Sequence, residues 1–234
     1  GGVTGHLPVV RVTECAPRSP VARRKRKPFH ADPQSHGMEI DPDEESSLYR
    51  TLAGAVVPRP IAWVSTTNPE GVDNLAPYSF FNVVAVDPPV VMFAPVDDDG
   101  APGGLKDTPR NISETGEFVV NVVTESVAEA MNETSATLPA GESEFDHAEV
   151  TRADSHVVAP PRVAESPVAF ECSRYDMVDV GDSTMVLGEV EWVHLDDDVT
   201  TDAKLDVEKL DAVGRLSGSL YATTEERFSM ERPP

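Results

Sequence analysis

PIAWVSTT at residues 60–67 and YSFFNVVAV at residues 78–86 are the stretches on which the fold turns. Each is a β-branched and aromatic run bounded by Pro, Asn or Asp, so each reads as a strand. The same pattern recurs in VVMFA (90–94), EFVVNVV (117–123), VAFECS (168–173) and TMVLGEVEWV (184–193). Helical patterns are few. Residues 43–56 place Leu48, Leu52 and Ala55 or Val56 at helical spacing behind an acidic first turn, and Pro58 stops them. A short helix is expected from Pro109 and an Ala- and Glu-rich one around 126–134, with a loop-like stretch from 139 to 167. Strands and helices do not alternate regularly, which disfavours a doubly wound parallel sheet. The expected class is mainly β with a few helices, arranged as a mostly antiparallel barrel.

The length of 234 residues suits one domain, or one domain with a tail. Nineteen Lys and Arg stand against 41 Asp and Glu, a net charge of −22 that repels nucleic-acid phosphates and anionic membrane surfaces. Neither nucleic acid nor membrane is an expected partner. The charge is uneven. Residues 1–37 hold seven basic and two acidic residues, whereas residues 38–234 hold 12 and 39. The acidic excess and scarce lysine beyond the tail resemble proteins of salt-loving archaea, with an ordinary acidic protein as the alternative. Residues 1–37, rich in Pro, Arg, Ser and His, read as a disordered basic tail, and residues 38–234 as a single domain. We expect Met38 to be the natural start, with a functional targeting tail as the rival reading. Cys15 and Cys172 form no metal or redox signature, and no stretch approaches the apolar length of a membrane span. A cytoplasmic location follows as an expectation.

Common catalytic signatures are missing: no His-Glu-x-x-His, no Gly-x-Ser-x-Gly, no Gly-x-Gly-x-x-Gly. The histidines lack ligand spacing, so no metal site is expected and no catalytic side chain is named. Where cations lie is more telling, because an anionic ligand on so acidic a chain needs a local reversal of sign. Five cations fall between residues 38 and 160, and three of them are Arg59, Lys106 and Arg110. In Lys106-Asp-Thr-Pro109, Thr108 suits a helix N-cap and Pro109 the first helical position, which places Lys106 beside free helix N–H groups. Such a place binds phosphate; the alternative is a solvated lysine before an ordinary capped helix. Trp63 and Ser65 share one face of their strand and Val64 and Thr66 the other, so an aromatic ring and hydroxyls can line a flat heteroaromatic ligand. In NLAPYSFFN (74–82), Pro77 is expected to interrupt the ladder and free neighbouring backbone and Ser79 for a ligand. The alternative there is a hairpin bend with a Phe80-Phe81 core plug.

Taken in order, RPIAWVST (59–66), NLAPYSFFN (74–82), DPPVVMF (87–93), KDTPRN (106–111) and FVVN (118–121) resemble the flavin reductase-like family, close to its flavoredoxin branch. The likeness continues through ESPVAFEC (165–172) to VGRLSGSLY (213–221), where Ser217 stands in a place often held by Gly. The resemblance implies an FMN-binding split β-barrel of Greek-key type, working as a homodimer with one FMN per subunit. It implies that the FMN phosphate meets Lys106, Asp107, Thr108 and the Ser79 region with Arg59 nearby. The isoalloxazine ring then lies along Trp63, Ser65 and Thr66 and the backbone of Ala76, Pro77 and Tyr78. His147 is a further candidate to approach the ring. The implied activity is hydride transfer from NAD(P)H to flavin and onward to free flavin or another small-molecule acceptor. The alternatives are a non-enzymatic flavoredoxin-like electron carrier and a cofactor-free dimeric scaffold.

Overall fold

A computed structural model describes residues 38–45, 47–98, 100–139 and 141–233. The expected disorder of 1–37 lies outside the described residues. The chain divides into two units, 1–45 and 46–234. In the first, Asp41 anchors a turn whose carbonyl accepts from the amides of Glu44 and Glu45 at 3.0 and 3.1 Å. The rest of the account concerns the second.

The elements run α1 (Tyr49–Ala55), β1 (Arg59–Pro60), β2 (Ala62–Thr67), β3 (Asp73–Tyr78), β4 (Phe81–Val86), β5 (Pro89–Phe93), α2 (Asp107–Thr115) and β6 (Glu117–Val122). They continue with α3 (Ala128–Glu133), α4 (Glu144–His147), β7 (Arg152–Ala153), β8 (Arg162–Val163) and the long hairpin β9 (Val168–Val180) and β10 (Ser183–Leu195). The short strands β11 (Thr200–Thr201), β12 (Lys204–Leu205), β13 (Val213–Arg215) and β14 (Tyr221–Thr223) complete the chain.

Seven strands form one antiparallel sheet in the order β3-β2-β6-β9-β10-β5-β4. Its two outer strands are consecutive in sequence, joined only by Ser79 and Phe80. Tyr78 and Phe81 can therefore be at most about 11 Å apart, and a sheet whose opposite edges meet so closely must roll into a barrel. The Phe80 carbonyl accepts from the Ala94 amide at 2.9 Å, which carries the β4–β5 pairing into this corner. β1 leaves the main sheet to pair with β13, which explains why the single expected strand 60–67 breaks at Ile61.

β2 divides the interior. Trp63 packs with Leu75, Met131 and Phe145 on one side, while Val64 packs with Phe93, Ile112 and Phe118 on the other. Burial of both faces explains why β2 carries no alternation of polar and apolar residues. The expected helix at 43–56 is the shorter α1, starting where the Tyr49 amide donates to Ser47 Oγ at 3.2 Å. The stretch 139–167, read as loop, contains α4, β7 and β8, whose two- to four-residue lengths are too short to leave a period in the sequence.

Gly188 marks a close approach in β10. A Cβ there would lie 2.2 Å from Phe118 Cζ and 3.2 Å from Cys172 Cβ. Both neighbours are fully buried and cannot retreat. Gly188→Ala is expected to destabilise the fold by about 1–3 kcal/mol through overpacking. Urea unfolding with an unshifted midpoint would contradict that.

Candidate functional site

A cavity of about 410 Å³ lies between β3, the start of α2 and the loops around residues 98–102 and 134–138. Six of the eleven residues expected at the site line it: Ala76, Pro77 and Tyr78 from β3, and Lys106, Asp107 and Thr108 from the start of α2. Two distant motifs thus meet at one edge of the sheet.

β3 supplies an open backbone edge. It pairs with β2 alone, in the register Ser65 with Leu75 and Trp63 with Pro77. The Leu75 amide turns away from β2 and donates to Glu144 Oε2 at 3.0 Å. Pro77, two residues on, faces the same way, so its missing N–H costs the ladder nothing. The expectation that Pro77 interrupts pairing is therefore corrected: it lies within the ladder, at an outward position of an edge strand. Ala76 and Tyr78 spend their backbone groups on β2, which leaves the Pro77 carbonyl as the acceptor facing the cavity.

The helix start also differs from its sequence reading. α2 begins at Asp107 with Lys106 in the N-cap position, and no side chain caps it. Arg110 is the first residue whose amide bonds back, to the Lys106 carbonyl at 3.1 Å. The amides of Asp107 and Thr108 have no intrahelical carbonyl, and Pro109 in the first turn has no amide to leave unpaired. Thr108 does not cap because its hydroxyl accepts from Asn74 Nδ2 at 2.8 Å and faces the Tyr78 phenol. Burial pushes the Tyr78 phenol well above its ordinary range, so the group is a neutral hydrogen-bonding hydroxyl. Asp107 is neutralised by Arg110 one turn on. The Lys106 side chain is exposed and makes no hydrogen bond or ion pair among the described residues.

Glu144, buried in the same wall, is a residue that sequence reading passed over in favour of His147. Burial raises its carboxyl above the usual range, and the bond from the Leu75 amide opposes the rise. His147 ends α4, exposed, and is not among the residues lining the cavity.

The other five expected residues lie elsewhere. Trp63, Ser65 and Thr66 are fully buried and line no part of this cavity. Trp63 Nε1 donates to Thr134 Oγ1 at 2.8 Å, Ser65 Oγ donates to the Pro161 carbonyl, and Thr66 Oγ1 accepts from Asn111 Nδ2 at 3.0 Å. These side chains are spent inside the protein because β2 has strands on both edges and cover on both faces. Arg59 and Ser79 line a separate cavity of about 380 Å³. Arg59 is buried, and its guanidinium donates to the carbonyls of Ala53, Val56 (2.8 Å) and Leu216 (2.7 Å), with Nε 3.4 Å from Ser79 Oγ. It ties the end of α1 to the C-terminal segment and is not part of the Lys106 corner.

Residues 54–210 match the flavin reductase like domain. The chain belongs to the flavin reductase-like family. A relative from Halalkalibacterium halodurans, the uncharacterized protein BH2278, is 41% identical over 205 residues, covering 84% of this chain and 97% of that one. The structure of nitrilotriacetate monooxygenase component B from Bacillus cereus superposes with a TM-score of 0.79 at 35% identity, over 84% of this chain and 100% of that one. The 2-nitrobenzoate 2-nitroreductase NbaA of Pseudomonas fluorescens gives 0.76 at 32% identity, over 84% and 96%. The mainly β split barrel inferred from the motifs is the fold of this family. Within it, β3 and the start of α2 form the wall where the family motifs 74–82 and 106–111 converge. Among the described residues no helix is long and apolar enough to cross a membrane.

Proposed function

We propose that this protein is an oxidoreductase that binds FMN in the cavity between β3 and α2, takes hydride from NAD(P)H and passes electrons to free flavin or another small-molecule acceptor. The observation that carries the reading is the Lys106 corner. A lysine and two amides, unpaired among the described residues, stand together at the start of α2, on a chain whose residues 38–234 hold 39 acidic residues against 12 basic ones. That donor set fits a phosphate monoester, which takes both the charge and the amide hydrogen bonds.

Beside it, the edge of β3 fits the polar rim of a flat ring, with the Pro77 carbonyl facing outward as acceptor. Asn74 fixes Thr108, and Glu144 holds the Leu75 amide, so the wall is rigid before a ligand arrives. FMN, when bound, supplies the redox centre that accepts hydride. The chain's own part is to anchor the phosphate, align the ring along β3 and keep water from its buried side; no side chain is assigned as acid or base.

A homodimer is part of the proposal. β4 is an outer strand of the sheet, and Val83, Val84 and Val86 are 60%, 55% and 85% exposed on it. Exposed valines clustered on an outer strand invite another chain, and a second copy covering them removes that hazard. The purified protein is expected to be yellow with stoichiometric FMN, to sediment as a dimer, and to bleach anaerobically on addition of NADH or NADPH. Colourless protein that ignores added FMN overturns the reading. Tight FMN with bleaching too slow for turnover would assign it instead as an electron carrier.

A further inference from the structure

The cavity that received Arg59 and Ser79 has a charge unlike its surroundings. Its wall carries Arg50, Arg59 and Arg215 together with the hydroxyls of Tyr49, Ser79 and Ser217 and, among the described residues, no Asp or Glu. The Lys106 cavity, by contrast, sets two cations against Asp98, Asp107 and Glu144. A larger cavity of about 990 Å³, which shares Arg215 and Gly218 with the Arg59 cavity, sets that one arginine against Glu125, Glu129 and Glu133. Three arginines facing one space without a carboxylate in its lining is the strongest local reversal of sign among these three cavities.

The arginines are also differently held. Arg59 is fixed on three backbone carbonyls. Arg215 lies over the Tyr221 ring, 4.5 Å from its centroid, and donates to the Tyr221 hydroxyl and the Gly218 carbonyl. Arg50, on α1, is exposed and makes no hydrogen bond or ion pair among the described residues. Two cations are thus set in place, and a third stands free to close on whatever enters. The free fork of Arg50 with the adjacent hydroxyls matches the oxygens of a phosphate, Arg59 and Arg215 add charge while their own donors hold the wall, and three positive charges call for more than one negative charge.

We propose that the Arg50–Arg59–Arg215 cavity is a second anion site that takes a phosphate ester of a nucleotide, distinct from the Lys106 corner. The nucleotide part rests on the flavin reading, because the phosphate can come from the dinucleotide donor or from a flavin. The phosphate part stands on the arginines alone.

The test begins with titration calorimetry of inorganic pyrophosphate into the full-length protein at matched ionic strength. Arg50→Gln is expected to weaken pyrophosphate about tenfold, the loss of one charge-assisted hydrogen bond, with Arg50→Glu weakening it further and neither changing the melting temperature. Steady-state kinetics on FMN-loaded Arg50→Gln then identify the source. A raised KM for NADPH alone points to its extra phosphate, and a raised KM for both NADH and NADPH to the pyrophosphate bridge. Weakened FMN binding assigns the cavity to the flavin's own phosphate. Pyrophosphate that does not bind, or binds wild type and Arg50→Gln equally, overturns the site. Protein that binds pyrophosphate through Arg50 yet takes up no FMN keeps the site and refutes the flavin reading instead.

Discussion

Replacing Lys106 by alanine is expected to weaken FMN binding about 10- to 100-fold, the ~1.5–3 kcal/mol of a hydrogen bond to a charged group, while leaving the melting temperature in place. The two halves of that expectation have separate origins. Lys106 is exposed and bonded to no other side chain, so the folded protein loses no internal contact when it goes. The anchored ligand would lose the cation of its corner that is unpaired among the described residues, since Arg110 is engaged by Asp107. Arg110→Ala gives a complementary result: it frees the Asp107 carboxylate beside the phosphate position and should weaken FMN through repulsion. Fluorescence-quenching titrations at matched salt measure both. Unchanged affinity in Lys106→Ala would remove the phosphate from the start of α2.

Glu171→Leu should be the most damaging single substitution to stability, at about 3–5 kcal/mol. The Glu171 carboxylate is fully buried on β9 and is the common acceptor for the amides of His156 (2.6 Å), Val157 (2.6 Å) and Val158 (3.2 Å), and for His194 Nε2. Leucine would strand those donors together. Burial works against ionisation of Glu171, but the bond from His194 and then the three amides outweigh it and hold the carboxyl below its ordinary range. The sign of the pH effect follows. A carboxyl with a depressed folded-state pKa binds fewer protons folded than unfolded, so its contribution is complete above the ordinary carboxylate pKa. It is lost as pH falls from there through the depressed value. Wild-type stability should decline over that acidic window, and the Glu171→Leu profile should be flatter across it. Unfolding curves from neutral to acidic pH decide the matter, and parallel profiles would show that Glu171 carries no such linkage.

The strand runs were legible because β-branched and aromatic residues cluster between turn formers, and all six of them overlap observed strands. The missed strands are short; β3, read from NLAPYSFFN as the partner of 60–67, does pair with β2, and only the break argued from Pro77 fails, because its outward position makes it unnecessary. At the site, the residues of KDT and APY were legible as a group. The structure puts 76–78 and 106–108 on one wall although about 30 residues separate them in sequence. The side chains of Trp63, Ser65 and Thr66 do not reach the cavity for a reason internal to strand logic. Alternation correctly sent Trp63 and Val64 to opposite faces, but it carries no information on what covers each face. Here both are covered, the Trp63 face by residues as far off as Thr134 and Pro161 and the Val64 face by residues such as Asn111 and Ile112.

By its residues alone, the chain determined that it would form a mainly β barrel with family motifs in a fixed order, and that any bound anion would have to seek out rare cations. Strand preference and net charge are sums over local composition, and a sum needs no coordinates. Tertiary structure alone decided how those cations were grouped. Lys106 shares the start of α2 with an Arg110 engaged by Asp107, while Arg50, Arg59 and Arg215, drawn from both ends of the unit, share one space. The potential at a point depends on distances between charges, and only the rolled sheet sets those distances.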